Sequence, residues 1–499
     1  MTFFAALKAR LQSSPIAYRL ARGAFWSLVG GVISRVLTMV SAILVARLLG
    51  KEGYGEMGMI QSTMGMFGVL AGLGLGATAT KYVAEYRQKD PVRAGRITSL
   101  TLVTSLVSAG GIALCCFLLA PELAARTLNR GELAPLLVAG AVLLFVSTLG
   151  GVLSAVLSGF ESFKEIAVIN LWQGVSTPLL SIPLVYWCGV EGAIASFTIN
   201  AALGLILTAI AVRREARRYS IPLGFDRGIW QEWRLLWSYS LPLTLANLLV
   251  APVTWVTNSI LVNQPGGYGE LGLFNAANQW RNVIVFIPAL LSSAMLPVLS
   301  ETHGRENKDD FSRTIVLNLR GTWLVAFPLT VVVILLGKPL AMLLGKQFAG
   351  TDQIISVLMV ATFLNVVNSA VGCVLVGAGR IWIGTLMNMC WAAVLIGVSY
   401  LLIPGHGGTG LAIAYLAAYL THTVWQMAYV EFKLAPGSIS TQLKTLSFSA
   451  VVLVATLAVG GAGRGFLALS LVLVAASLLP LLFTLKAALP LRGAQQPLG

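Results

Sequence analysis

Gly53-Tyr54-Gly55-Glu56-Met57-Gly58-Met59 returns 214 residues later as Gly267-Tyr268-Gly269-Glu270-Leu271-Gly272-Leu273. A second echo, Gly192-Ala193-Ile194-Ala195 against Gly410-Leu411-Ala412-Ile413, comes at an offset of 218. In each case six apolar runs separate the two copies, so both copies meet the membrane in the same orientation. That pattern predicts an all-α polytopic fold of two parallel six-helix repeats related by an axis along the membrane normal.

Working outward from the repeat, a membrane span needs about 20 apolar residues, more if it tilts. The chain of 499 residues offers 14 such runs: 23–50, 57–84, 97–120, 133–158, 164–188, 191–212, 235–262, 271–299, 314–336, 353–377, 381–403, 408–430, 444–462 and 465–485. The last two lie outside the repeat. The expected organisation is an amphipathic cytoplasmic N-terminus (1–22), a first half (23–212), a basic linker (213–234) and a second half (235–432). Helices 13 and 14 (443–485) and a cytoplasmic tail (486–499) complete it. Composition agrees, with 57% hydrophobic and 11% charged residues, against about 25% charged in soluble domains. Of the 34 Lys and Arg residues, 24 fall in alternate connections and span ends on one side and 7 in the loops on the other. The positive-inside rule then puts both termini in the cytoplasm. A net charge of +15 spread in this way does not mark a nucleic-acid binder. The linker carries Arg213, Arg214, Arg217, Arg218, Arg227 and Arg234 and reads as a surface segment on an anionic inner leaflet.

No phosphate-binding loop, metal-protease helix or nucleophile elbow occurs, so neither an enzyme nor a primary pump is expected, and no cofactor or metal. The five cysteines (Cys115, Cys116, Cys188, Cys373, Cys390) lack ligand spacing and read as small buried hydrophobes. The three arginines inside spans carry more information. Arg35 sits a dozen residues from either end of its run, where insertion costs about 2.5–3.5 kcal/mol, so it should face a wet cavity or an anion. Arg281 lies in Asn275-Ala276-Ala277-Asn278-Gln279-Trp280-Arg281-Asn282, with Asn278 and Asn275 at preceding three-residue steps on its face. Arg320 is near a span end, within snorkelling reach of water. Arg35, Arg281, Asn275, Asn278 and Arg320 are the candidate substrate-binding residues. Further amides at membrane depth (Asn170, Gln173, Asn200, Asn247, Asn258, Asn365, Asn368, Asn388) read as helix-to-helix glue. His422 reads as a packing histidine. Gly65, Gly68, Gly72, Gly74 and Gly76 predict close packing and bending, and Pro242, Pro252 and Pro288 mark bends. All 19 acidic residues lie in loops or at span ends. A lumen with arginines and no acids suits an anionic substrate and weakens proton antiport.

Ala42-Ile43-Leu44-Val45-Ala46-Arg47-Leu48-Leu49-Gly50, then Gly53-Tyr54-Gly55 and Leu73-Gly74-Leu75-Gly76-Ala77-Thr78, resembles the opening of bacterial polysaccharide or O-antigen flippases. These belong to the multidrug/oligosaccharidyl-lipid/polysaccharide exporter (MOP) superfamily. Ser34-Arg35-Val36-Leu37 is similar to the first-helix arginine motif of the related lipid II flippases, although Ser41 stands where their next arginine is expected. The resemblance implies a V-shaped cavity between halves, alternating access and a polyprenyl-pyrophosphate-linked oligosaccharide as cargo. On that basis Arg35 and Arg281 would clamp the pyrophosphate while the lipid tail stays among membrane lipids along helices 13 and 14. Also implied are the bacterial inner membrane as location and a polysaccharide polymerase or glycosyltransferases as partners, with no nucleic acid. A peptidoglycan lipid II flippase and a cation-coupled multidrug exporter of the same fold remain alternatives.

Overall fold

In a computed structural model of the chain, the described residues are 15–224, 227–240, 244, 248–304, 308–462 and 467–488. Most of the expected N-terminal lead-in, most of the tail, Pro242 and Asn247 lie outside them. The described residues are helical, with no strand among them: α1 (Pro15–Gly72), α2 (Leu75–Tyr86), α3 (Pro91–Glu122), α4 (Ala134–Gly159), α5 (Phe163–Arg218), α6 (Val250–Val262), α7 (Gly267–Gly304), α8 (Lys308–Leu335), α9 (Gly337–Leu344), α10 (Thr351–Gly377), α11 (Ile381–Tyr429), α12 (Leu443–Ala462) and α13 (Leu467–Ala488). Eight helices among these residues are long and apolar enough to cross a membrane, with shorter apolar helices at Val250–Val262 and Leu469–Leu479.

Three of the long helices each hold two of the runs expected from sequence, joined at a glycine: Gly50 in α1, Gly189 in α5 and Gly407 in α11. Here the repeat becomes conformational. Gly189 (φ 56°, ψ −132°) and Gly407 (φ 51°, ψ −131°) adopt the same left-handed break 218 residues apart. The chain then doubles back so tightly that a Cβ on Gly192 would fall on the Leu184 carbonyl, and one on Gly410 would lie 2.6 Å from the Leu402 carbonyl. Both pairs keep the 218 offset. The Gly-Ala-Ile-Ala echo therefore marks a backbone crossing that only glycine permits. Positive φ at Glu161 (57°) and Gly379 (69°), ending α4 and α10, repeats the same offset.

The chain divides into two compact units, Met1–Ser259 and Ile260–Gly499. The division falls inside the run read as 235–262, not in the linker, because α6 is bonded into the first unit. Trp255 Nε1 donates to Thr63 Oγ1 at 3.0 Å, and Asn258 Nδ2 donates to Ser62 Oγ at 3.0 Å. In the first unit α1 and α4 pack chiefly on α5. Gly174 lies against Ser34, where a Cβ would come within 2.6 Å of the Ser34 Cα. Ser41 is buried and shares a 2.6 Å hydrogen bond with Ser181 Oγ, so the position expected to hold a second arginine is part of the packing. In the second unit α10 packs on α7, α8 and α11.

The run expected over 57–84 is two helices, broken at Leu73 (φ 44°) and Gly74 (φ 64°). A Cβ on Gly74 would lie 2.6 Å from the Ser240 carbonyl. Bending is thus observed, but close packing fails for Gly65, Gly68 and Gly72, where an added Cβ would meet nothing within 4 Å. No break occurs at Pro288, since α7 runs through it as one helix. Of the cysteines only Cys116 is buried. Cys115 and Cys188 face outward, where hydrocarbon in place of protein would cover them.

Candidate functional site

Arg281 projects from α7 between α10 and α11. Its Nη2 donates to Asn365 Oδ1 at 3.1 Å and to the Tyr419 hydroxyl at 3.3 Å. Both partners are neutral, and no carboxylate pairs with this half-buried guanidinium among the described residues. Taking a cation out of water costs several kcal/mol unless charge and hydrogen bonds offset it. Here hydrogen bonds orient the group while its charge stays uncompensated. Both bonds leave from one terminal nitrogen, so Nε and Nη1 remain as donors, on different edges of the guanidinium, for separate oxygens of an anion.

A polar seam supports this arginine. Asn368, one turn beyond Asn365, donates from Nδ2 to the Tyr419 carbonyl (3.2 Å) and accepts at Oδ1 from Thr423 (2.8 Å). One turn farther along α11, His422 Nε2 and Gln426 Nε2 lie 3.0 Å apart. On the other flank the Tyr419 ring packs on Trp391 (5.6 Å) and Tyr415 (6.0 Å), and Tyr415 on Phe274 (5.7 Å). Tyr419 is locked at its ring, hydroxyl and backbone together, which fixes the donor plane of Arg281. His422 belongs to this packing, as the sequence predicts.

The sequence places Asn275 and Asn278 beside Arg281, yet Arg281 is held from the neighbouring helices α10 and α11 instead. Asn275 Nδ2 is buried without a partner. Asn365 stood among the amides read as glue, and its depth in an apolar helix was the available signal. Tyr419 gave none, because a tyrosine in an apolar run reads as packing. Arg320 is not brought to this cluster. It is exposed, and its Nε donates to Gln442 Oε1 at 3.0 Å just before α12. Trp323 Nε1 makes a second tie from α8 to α12, at Ser449 Oγ (2.9 Å).

In the first unit Arg35 lies on the exposed side of α1, one residue after the Ser34–Gly174 crossing. The same unit holds a cavity of about 470 Å³ whose walls include Gly65, Gly68 and Gly72 of α1 and Ser147, Thr148 and Gly151 of α4. The two serine and threonine hydroxyls bond back to the Leu144 carbonyl, at 3.1 and 2.8 Å. At the repeat offsets Ser147 corresponds to Asn365, Met64 to Asn278 and Gly68 to Asn282. Arg281 itself corresponds at the offset of 214 to Phe67, so the first unit carries no cation at the matching position.

The acidic residues at the repeat motif are engaged. Glu56 pairs with Arg130, and Glu270 Oε2 accepts the Gly408 N–H at 2.8 Å, bracing the reversal at Gly407.

Residues 20–303 match the family described as polysaccharide biosynthesis protein, and residues 242–401 match the MatE family. The lipid III flippase of Escherichia coli (strain K12) is 24% identical over 412 residues, covering 81% of this chain and 96% of that protein. The EPS I polysaccharide export inner membrane protein EpsE of Ralstonia solanacearum is 24% identical over 405 residues, covering 79% and 90%. Among solved structures, lipid II flippase MurJ in an inward closed conformation superposes with a TM-score of 0.70 at 14% identity, covering 93% of this chain and 99% of that one.

Proposed function

This chain belongs to the polysaccharide biosynthesis protein family, within the MOP superfamily of membrane transporters, and on that premise we propose that it flips a polyprenyl-pyrophosphate-linked oligosaccharide. In this reading the cargo passes from the cytoplasmic to the outer leaflet of the bacterial inner membrane by alternating access. The observation that carries the reading is Arg281, a cation oriented by Asn365 and Tyr419 and left uncompensated. A pyrophosphate would supply the missing charge through charge-assisted hydrogen bonds from Nε and Nη1 to separate oxygens. Within the first unit, Arg35 on the exposed side of α1 offers a cation of its own for the same anionic chemistry. The cavity of the first unit, where Gly65, Gly68 and Gly72 stand beside Ser147 and Thr148 as well as Met64, Leu143 and Val152, offers room for sugar rings. Arg320 acts as a positioning residue that holds α12 to α8, along which the lipid tail would run.

A cation-coupled drug exporter would need a titratable carboxylate inside a span. Glu56 and Glu270 are the acids nearest the repeat motif, and both are committed to structural partners.

Translocation in proteoliposomes loaded with fluorescent polyprenyl-pyrophosphate oligosaccharide tests the proposal, with lectin accessibility from the opposite face as readout. Wild type should transport, and Arg35→Gln and Arg281→Gln should each lose about a hundredfold in rate, the scale of removing one partner from a buried charge pair. Transport that survives both substitutions overturns the arginine role and keeps the function. Folded protein that moves no lipid-linked glycan overturns the function.

A further inference from the structure

The segment after α5 is strapped across one end of the first unit. Ile221 is buried, the Pro222 carbonyl lies where a Cβ on Gly95 would fall, and Glu232 accepts from Arg93 Nε (2.9 Å) and Nη2 (3.0 Å). Ser240 Oγ shares a 2.6 Å bond with Thr78. Residues 227–240 form short helical turns in which the inward face carries Ile229, Glu232 and Ser240. The outward face carries Trp230, Trp233 and Trp237, with 58%, 49% and 62% of their surface exposed.

That distribution inverts a water-facing helix, which would hide its indoles and display its carboxylate. The charges are sorted in the same sense. Among the described residues of 213–240 both acids, Glu215 and Glu232, are buried, while Arg213, Arg214, Arg217, Arg218 and Arg234 are exposed. The segment leaves the end of a spanning helix, so it starts at the level where bilayer meets water. Tryptophan prefers that interface, and outward arginines there face lipid phosphates.

We infer that the strap is a docking surface for acidic phospholipid headgroups of the inner leaflet, with the three indoles seated among the glycerol groups and Arg213, Arg214, Arg217 and Arg218 bound to headgroup phosphates. Glu232 is its positioning residue, since the pair with Arg93 turns the indoles outward. From its basic charge the sequence reads the linker as a surface segment on an anionic leaflet, whereas the buried acids and the tryptophan face give that surface its sidedness and its depth. The inference rests on the spanning fold and is independent of the cargo.

The test uses the full chain in nanodiscs of phosphatidylcholine alone or with phosphatidylglycerol. Hydrogen exchange of 227–240 in wild type should slow about tenfold or more when phosphatidylglycerol is present, and the fluorescence difference between wild type and Trp230→Phe/Trp233→Phe/Trp237→Phe should be quenched by brominated lipid. The variant Arg213→Gln/Arg214→Gln/Arg217→Gln/Arg218→Gln should retain about tenfold less phosphatidylglycerol by native mass spectrometry, a deliberately low bound for four surface charges. Exchange indifferent to headgroup charge, or indoles quenched by aqueous iodide and not by bromolipid, overturns the inference. Protection that appears in neutral lipid and rises with protein concentration assigns the face to a second copy, and also overturns it.

Discussion

Arg281 and Tyr419 make the same point from opposite directions: a guanidinium needs its plane fixed as well as its charge present. Tyr419→Phe removes one hydrogen bond and keeps the ring packing on Trp391. The expected cost is about 1 kcal/mol, roughly a fivefold fall in translocation rate with unchanged thermal stability. Arg281→Lys keeps the charge, but its point-like ammonium cannot hold Asn365 and Tyr419 while offering two further donors. Its rate should therefore fall closer to that of Arg281→Gln than to wild type. Initial rates from the lectin-accessibility assay would check both, and a fully active Arg281→Lys would show that charge alone suffices. At this scale the sequence was half legible. An arginine at membrane depth announces itself through its insertion cost, whereas the residues that orient it come from other helices and look like ordinary core.

Glycines divide the helices into two mechanical classes. At Gly192 the backbone of Leu184 occupies the space a methyl group would need, so Gly192→Ala must push two helices apart. Overpacking of this kind costs about 1–3 kcal/mol or more. Lower folded yield and a lower Tm in detergent should follow. Gly68→Ala points into open space and should leave Tm unchanged. Gly68→Leu should also fold, but it fills part of the cavity, so transport of long glycans should fall more than transport of a short one. Competition between two cargo lengths in one vesicle preparation would measure that selectivity. The periodicity of α1 shows where these glycines are and hides which class each belongs to, because a missing side chain looks the same facing a helix or a void. The reversals at Gly189 and Gly407 were legible only through their echo, since a helix pair joined at one glycine carries no loop to announce it.

For the whole molecule, energetics follow from the sign of the charges. Moving one charge across 100 mV is worth about 2.3 kcal/mol. Two negative charges leaving an inside-negative cell would gain about 4–5 kcal/mol, and an empty carrier bearing the Arg281 cation would be drawn back. Membrane potential should then drive turnover with no coupling carboxylate. Collapsing the potential at fixed pH and sodium gradients should slow transport severalfold, and an unchanged rate would refute this coupling. The class of fold was open to reading because apolar run length and the placement of Lys and Arg are dictated by the bilayer. The assignment of α6 was not, because its hydrogen bonds to Ser62 and Thr63 are long-range and leave no local pattern.

The empty walls at Gly65, Gly68 and Gly72 also bear on inheritance. An added Cβ there meets nothing within 4 Å, so if the cavity holds the cargo as proposed, single small substitutions would change what fits without a compensating repair. Surface sugars are what immune systems and phages select against. A carrier whose selectivity can drift independently of its stability would let a new glycan reach the surface soon after its assembly enzymes arise.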